Sequence, residues 1–232
     1  MRCLLVVLLC TIVGLGTFGC GGGAAQVPTG PSPFAGRYVG GFTNSGGNTG
    51  ELYLDITTGG IITATGINVS AGSVTILTGS MGNNGLTGLT PTGGGTSITG
   101  TLSLSNTNQL TGTLSDQLGD TVTIKLNTVV GGSTPAYAGA IAGTFSSSNG
   151  DVGNLTLLVD GNGNVTGLIV DTTKNSTNTL SGMITNTGAL NVTESSSGGT
   201  ITGPLVIGTA NQVNGTLNSS KGTTITVKLT LS

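Results

Sequence analysis

The sequence has no histidine and no tryptophan, and its 3 cysteines, Cys3, Cys10 and Cys20, all lie at or before position 20. Without histidine the commonest general base is missing. Beyond Cys20 there is no thiol to act as a nucleophile, to pair in a disulfide or to ligate a metal. Charge is scarce as well: 6% of residues are ionic and the formal net charge is −2, which leaves no electrostatic footprint for nucleic acid. Aromatic residues make up 3%, too few for the girdles of an outer-membrane barrel. What abounds is glycine, at 44 of 232 residues, with threonine close behind. Both recur every few positions, and both are poor in a helix interior. Composition of this kind is common in disordered chains, yet 35% of the residues are hydrophobic, more than such chains carry, and they alternate with polar ones.

The N-terminus reads as an export signal. Arg2 precedes an apolar run over residues 4–13, too short for a membrane-spanning helix. After it come Thr17-Phe18-Gly19-Cys20 and then Gly21-Gly22-Gly23. This segment resembles the lipobox of bacterial lipoproteins, with Gly19 and Cys20 carrying the likeness; Thr17 and Phe18 stand where that family prefers Leu and a small residue. The resemblance implies cleavage before Cys20, a lipid on Cys20 and, through that lipid, a membrane partner in a bacterial envelope, at the outer membrane or cell surface. Ordinary signal cleavage after Ala25, in Gly23-Ala24-Ala25, is the alternative and gives a soluble secreted protein. Residues 1–19 are therefore expected to be a signal peptide. Residues 20–33 form a flexible lipid-anchored tether, stiffened by Pro28, Pro31 and Pro33.

The rest of the chain is written twice. Phe34-Ala35-Gly36 matches Tyr137-Ala138-Gly139, and Phe42 matches Phe145, an offset of 103. The same offset pairs Gly79 with Gly182, Ile98-Thr99-Gly100 with Ile201-Thr202-Gly203, and Gly112-Thr113-Leu114 with Gly215-Thr216-Leu217. It ends by pairing Val122-Thr123-Ile124-Lys125-Leu126 with Ile225-Thr226-Val227-Lys228-Leu229. A period this long marks a duplicated domain rather than a solenoid. The copies span 34–130 and 136–232, joined by a hinge at 131–135 whose brevity implies that they touch or are restricted in relative motion.

Each copy reads as eight strands, centred in the first near Val39, Leu54, Thr63, Thr75, Thr87, Ile98, Leu110 and Ile124. Between them lie turn sequences such as Asn83-Asn84-Gly85 and Gly119-Asp120, and in the second copy Asp160-Gly161-Asn162-Gly163. Connections this short join antiparallel neighbours. Alternation points Val122, Ile124 and Leu126 inward against Thr121, Thr123 and Lys125, and repeats the choice at Ile225, Val227 and Leu229. Leu52, Leu54 and Ile56 form another inward set, mirrored by Leu155, Leu157 and Val159. Glycines fall on the inward register at matched positions, Gly40/Gly143, Gly100/Gly203 and Gly112/Gly215, which marks bends or close backbone approach. The expected fold is all-β: two tandem antiparallel up-and-down eight-stranded β-barrels of about 95 residues each, large enough for a modest core. Two β-sandwiches are the alternative.

Candidate chemistry is thin. Glu51 and Asp55 share one face of a strand, but Asn154 and Leu158 hold their positions in the second copy. Asp160-Gly161-Asn162-Gly163-Asn164 has the oxygen spacing that opens a calcium loop, with Asp171 where a closing Glu would stand and a strand in between; it reads as a hairpin turn. Thr-x-Thr pairs, Thr63/Thr65, Thr99/Thr101, Thr111/Thr113, Thr121/Thr123 and Thr224/Thr226, fit a flat ice-binding array or simply the solvent face of strands. Sixteen strands fit a porin-like count, but a Thr/Ser/Asn face is wrong for lipid contact.

The expectation is a non-catalytic envelope lipoprotein, with Cys20 as its modified residue and no catalytic, cofactor or metal site. Its duplicated domains serve as a binding or structural module for an unknown protein or small molecule. The alternative is a carrier holding a small apolar ligand in a barrel interior, favoured if that interior has an unfilled cavity. Loops that differ between the copies are the best contact candidates: residues 88–96, with Pro91 and three glycines, against 191–199, with Glu194 and a serine run, and residues 68–73 against 172–176.

Overall fold

The computed structural model describes residues 30–129 and 136–232. The signal segment, Cys20, most of the tether and the hinge at 131–135 lie outside the described residues. The first copy forms β1 (Gly36–Asn44), β2 (Thr49–Ile56), β3 (Ile61–Asn68), β4 (Ser73–Met81), β5 (Leu86–Pro91), β6 (Ile98–Leu104), β7 (Gln109–Ser115) and β8 (Thr121–Thr128). The second forms β9 (Gly139–Ser147), β10 (Val152–Val159), β11 (Asn164–Asp171), β12 (Ser176–Ile184), β13 (Ala189–Glu194), β14 (Thr200–Ile207), β15 (Gln212–Ser219) and β16 (Thr224–Leu231). A single 3-10 turn, Thr209–Asn211, is the one helical element among the described residues.

Every strand pairs antiparallel with its sequence neighbour. β8 returns to β1 and β16 returns to β9, so each copy is its own closed eight-stranded barrel. The offset of 103 holds in the pairing itself: Gly36 faces Ile56, and Gly139 faces Val159. Leu52, Leu54, Ile124 and Leu126 pack in the first core, and Leu155, Leu157, Val227 and Leu229 in the second. Lys125 and Lys228 are exposed. The interiors are thus apolar and much of the outer surface is Thr and Ser, the reverse of an outer-membrane barrel.

Closure depends on backbones that nearly touch. A Cβ on Gly40 would lie 2.3 Å from the Lys125 carbonyl oxygen, and one on Gly143 would lie 2.2 Å from that of Lys228. Gly50, Gly79, Gly100 and Gly112 meet partner backbone at similarly impossible distances, as do the glycines 103 residues after each. These inward positions let short strands curl into a narrow cylinder without overfilling it.

One end of each barrel is stoppered by an aromatic ring. Phe34 closes the first, over the β4–β5 turn at Gly85; Tyr137 closes the second and donates its hydroxyl to the Leu205 carbonyl at 2.6 Å. The barrels touch along equivalent strands, β1 on β9, β2 on β10 and β3 on β11. Between them a separate apolar cluster forms from Val39, Tyr53, Ile67 and Val129 of the first barrel and Ala138, Ala140, Leu158 and Leu168 of the second. Tyr53 is 1% exposed, and its hydroxyl donates to the Ser232 carbonyl at 3.1 Å. Like strands meeting like strands make an approximate two-fold interface within one chain.

The glycines can be sorted by substitution. Gly40→Ala forces a methyl into the β8 backbone and is expected to cost about 1–3 kcal/mol. Gly66→Ala, whose Cβ meets nothing nearer than 3.6 Å, is expected to be neutral or stabilising. Urea midpoints of the two variants measure this; equal losses would contradict the close-approach account.

Candidate functional site

The sequence-derived carboxylates do not assemble into a catalytic pair. Glu51 and Asp55 lie on the outer face of β2, about 13 Å apart at the usual rise per residue, beyond the 5–10 Å or so that paired glycosidase carboxylates span. Asp55 faces Arg37 across the β1–β2 pairing. Glu51 sits near the junction of the barrels, where burial and then the nearby Asp160 carboxylate raise its pKa above the ordinary 4.5. Tyr53 is pushed up to about 12, first by burial and then by Asp55, with Arg37 opposing.

The other candidates serve their own turns. Asp160 accepts through Oδ1 from the backbone N–H groups of Asn162 and Asn164, both at 2.8 Å, and through Oδ2 from Asn164 Nδ2 at 2.7 Å. Asp171, roughly 20 Å away at the far end of β11, accepts from the N–H groups of Thr173 and Lys174. The two share no site, as the hairpin reading expects. The exposed threonines pair across strands, as Thr113 and Thr123 do at 3.2 Å between hydroxyls, on a curved wall.

The feature with binding geometry is the mouth of the first barrel, at the end opposite Phe34. A cavity of about 110 Å³ opens there. Its walls are Phe42, Leu52, Leu77, Leu89, Ile98, Leu114, Val122 and Ile124, with Gly66 among them; Asn44, Asn68, Ser73, Thr75, Pro91 and Thr96 complete the lining. Strand alternation sends the apolar residues inward; the ends of β3, β4 and β5 supply Asn68, Ser73 and Pro91, and the β5–β6 loop supplies Thr96. Both segments singled out for differing between the copies therefore meet at this mouth.

The second barrel puts larger side chains at two of the positions that line this space and smaller ones, Val192 for Leu89 and Val227 for Ile124, at two others. Ile169 replaces Gly66 and Ile225 replaces Val122; both are core residues, 8% and 7% exposed. Gly66 differs in kind from the closure glycines, because a Cβ there has room. An unfilled volume of 110 Å³ would forgo roughly 2–3 kcal/mol in a closed core, and less at an open mouth. The rims differ too. Around the second mouth, Lys174 bridges Asp151 and lies 3.7 Å from Asp171, and Lys221 meets Glu194 at 3.1 Å. Lys174 lowers the Asp151 pKa through their hydrogen bond. In the first barrel those five positions hold Ala71, Asn48, Asn68, Leu118 and Pro91, and Leu118 is 83% exposed. The first copy has an open apolar mouth with the acidic turn of Asp116 and Asp120 at its rim; the second has Ile169 in place of Gly66 and ion pairs around its rim.

Sequence reasoning missed Gly66 because it looked like one more barrel glycine. The signal was present as a break in the repeat, Gly66 against Ile169. It also missed Tyr53, Leu158 and Leu168 at the barrel junction, where unbroken apolar runs show that both strand faces are covered.

No protein-family model and no curated protein matches the chain. Among solved structures, one similar chain is a protein of unknown function from Nostoc punctiforme, described as a member of the DUF3598 family. It is 13% identical, with 85% of this chain and 96% of that one covered, at a TM-score of 0.23. A likeness that weak carries nothing about this chain's fold or function.

The Glu51 shift has a consequence for stability. A carboxyl whose pKa is raised on folding destabilises the fold increasingly as pH rises above its unfolded value, because the unfolded state ionises more readily. Glu51→Gln is therefore expected to raise Tm at pH 7 by roughly 1–3 °C and to change little near pH 3, where both states are almost fully protonated. Thermal melts at the two pH values test this; no gain at pH 7 would contradict it.

Proposed function

We propose that the chain is a non-catalytic envelope lipoprotein that carries a small apolar ligand in the mouth of its first barrel, with the second barrel as a filled structural copy. The supporting observation is the contrast between Gly66 and Ile169: two barrels of one design, of which one keeps a solvent-open apolar cavity of about 110 Å³. A dry cavity of roughly 150 Å³ lined by Leu, Ile and Phe takes up benzene or xenon, so this mouth suits one small ring or the end of a longer chain. Eight-stranded barrels either fill their interior or hold one ligand, and on this reading the chain has one barrel of each kind. The walls offer no acid, base or nucleophile beyond serine and threonine hydroxyls, which accords with binding rather than turnover.

Benzene titrated into the protein and followed by amide chemical shifts tests the carrier role. Saturable shifts confined to the β3–β6 side of the first mouth are expected, and Gly66→Ile should abolish them. That variant copies the second barrel and should keep the fold. Unsaturable shifts, or shifts indifferent to Gly66→Ile, would refute the carrier reading.

The anchor rests on Gly19-Cys20 and the glycine-rich tether. Mass spectrometry of the mature N-terminus is expected to find lipid on Cys20, with the membrane as the partner held by it. A free N-terminus at Gln26 would make the protein soluble and secreted instead.

A further inference from the structure

We infer that the ligand of the first barrel is an unbranched alkyl chain, whose end fills the mouth cavity and whose following carbons leave sideways between β5 and β6. This rests on the reading of that mouth as a binding site.

The carrying observation is a missing rung in the barrel wall. The β5–β6 pairing runs from Leu86/Thr101 to Leu89/Ile98 and stops there. One step on, hydroxyls 2.7 Å apart join Thr90 to Ser97. The next step sets Pro91 opposite Thr96, and proline has no N–H to donate. Among the described residues no backbone hydrogen bond links these two. The second barrel makes this rung. Thr193 pairs with Thr200, and the Glu194 N–H donates to the Gly199 carbonyl at 2.8 Å. Glu194 stands 103 residues after Pro91, at the same place in its own barrel. The loop beside it is tied down as well: Thr179 Oγ1 donates to Ser195 Oγ, and Ser197 Oγ to Glu194 Oε2, both at 2.6 Å. The first barrel is thus unlaced at its mouth where the second is laced.

The seam borders the cavity. Leu89 and Ile98, its last paired residues, line that cavity, and so do Pro91 and Thr96. Between Pro91 and Thr96 the loop holds Gly93, Gly94 and Gly95, which put no side chain across the gap. A Cβ on Gly93 or Gly94 would meet nothing within 4 Å. On the outer wall, β4 contributes Ile76, whose carbonyl accepts from the Thr92 N–H at 3.0 Å. Ile76 is 55% exposed, and Thr179 holds its position in the second copy. The apolar surface therefore continues from the cavity through the seam to the outside of the first barrel.

Size then selects the shape of the ligand. The cavity takes about five or six carbons. A compact ring would stay within it and leave the seam unused. A chain longer than the cavity has to leave it, and the seam offers the following methylenes hydrocarbon contact in place of water.

The saturated fatty acids from hexanoate to dodecanoate, titrated into the full mature chain and followed by amide chemical shift, test the inference. Affinity is expected to rise about 2-fold or more with each added methylene, and shifts are expected to spread from the cavity to Ile76 and Thr92. Lysophosphatidylcholine bearing a dodecanoyl chain, below its micelle concentration, asks whether the chain comes as a free acid or on a lipid; saturable binding of either supports the alkyl chain and names its source. A staple gives the second measurement. Thr90→Cys with Ser97→Cys places two thiols within disulfide reach across the seam, and no cysteine follows Cys20 in the natural sequence. The oxidised form is expected to bind dodecanoate at least about 5-fold more weakly than the reduced form, with benzene equal in both. Affinity that levels off at hexanoate, or equal dodecanoate binding by the oxidised and reduced forms, would overturn the inference. If benzene still saturates and Gly66→Ile still removes it, only the seam has failed. If no probe binds at the mouth, the carrier reading fails with it.

Discussion

The structure depends on close approach between strand backbones at the inward glycines. A barrel of eight strands averaging eight residues or so has little interior. Where β1 crosses β8, the Lys125 carbonyl occupies the place a Gly40 side chain would need. The same crowding recurs at Gly50, Gly79, Gly100 and Gly112. Each glycine gives up packing and chain entropy, and in exchange the sheet curls until β8 meets β1. Closure then removes both sheet edges, so among the described residues neither barrel presents a free strand edge to aggregate on.

That constraint separates what the copies must share from what they are free to change. All five closure glycines of the first barrel have glycine partners at the offset of 103, and so do the seats of the aromatic stoppers, Gly85 and Gly188. Gly66 is bound by no such demand, and its partner is Ile169. Around it Val122 stands against Ile225, while Leu89 and Ile124 stand against the smaller Val192 and Val227; at the rim Pro91, Asn68, Asn48, Ala71 and Leu118 stand against the ion-paired residues of the second copy. Surface ion pairs add little stability, but these give the second end a rim of both signs, whereas the first has only the acidic turn of Asp116 and Asp120. The junction between the barrels, with Tyr53 buried against Leu158 and Ser232, holds the second copy beside the first.

Much of this was legible in the residues. Period-two alternation placed Ile124 and Val227 inside and Lys125 and Lys228 outside, because one polar and one apolar face leave a single workable register. Turn glycines and asparagines set the eight strands, and the constant offset set the second copy from the first. Divergent loops at 68–73 and 88–96 led to the mouth. Tyr53, Leu158 and Leu168 escaped because alternation assigns each strand one buried face, and theirs are buried on both. Gly66 escaped because a glycine that a bend requires and a glycine that leaves a void are the same letter; the distance from an imagined Cβ to its surroundings, 3.6 Å against 2.3 Å at Gly40, is what tells them apart.

The central claim is that the two barrels differ in their interiors, with an unfilled apolar mouth in the first and Ile169 closing that place in the second. A crystal of the mature protein under xenon pressure measures it directly, since xenon enters apolar cavities of this size without polar recognition. The account predicts a xenon atom bounded by Gly66, Leu77 and Ile124, and none beside Ile169. Xenon in both barrels, or in the second alone, would contradict it.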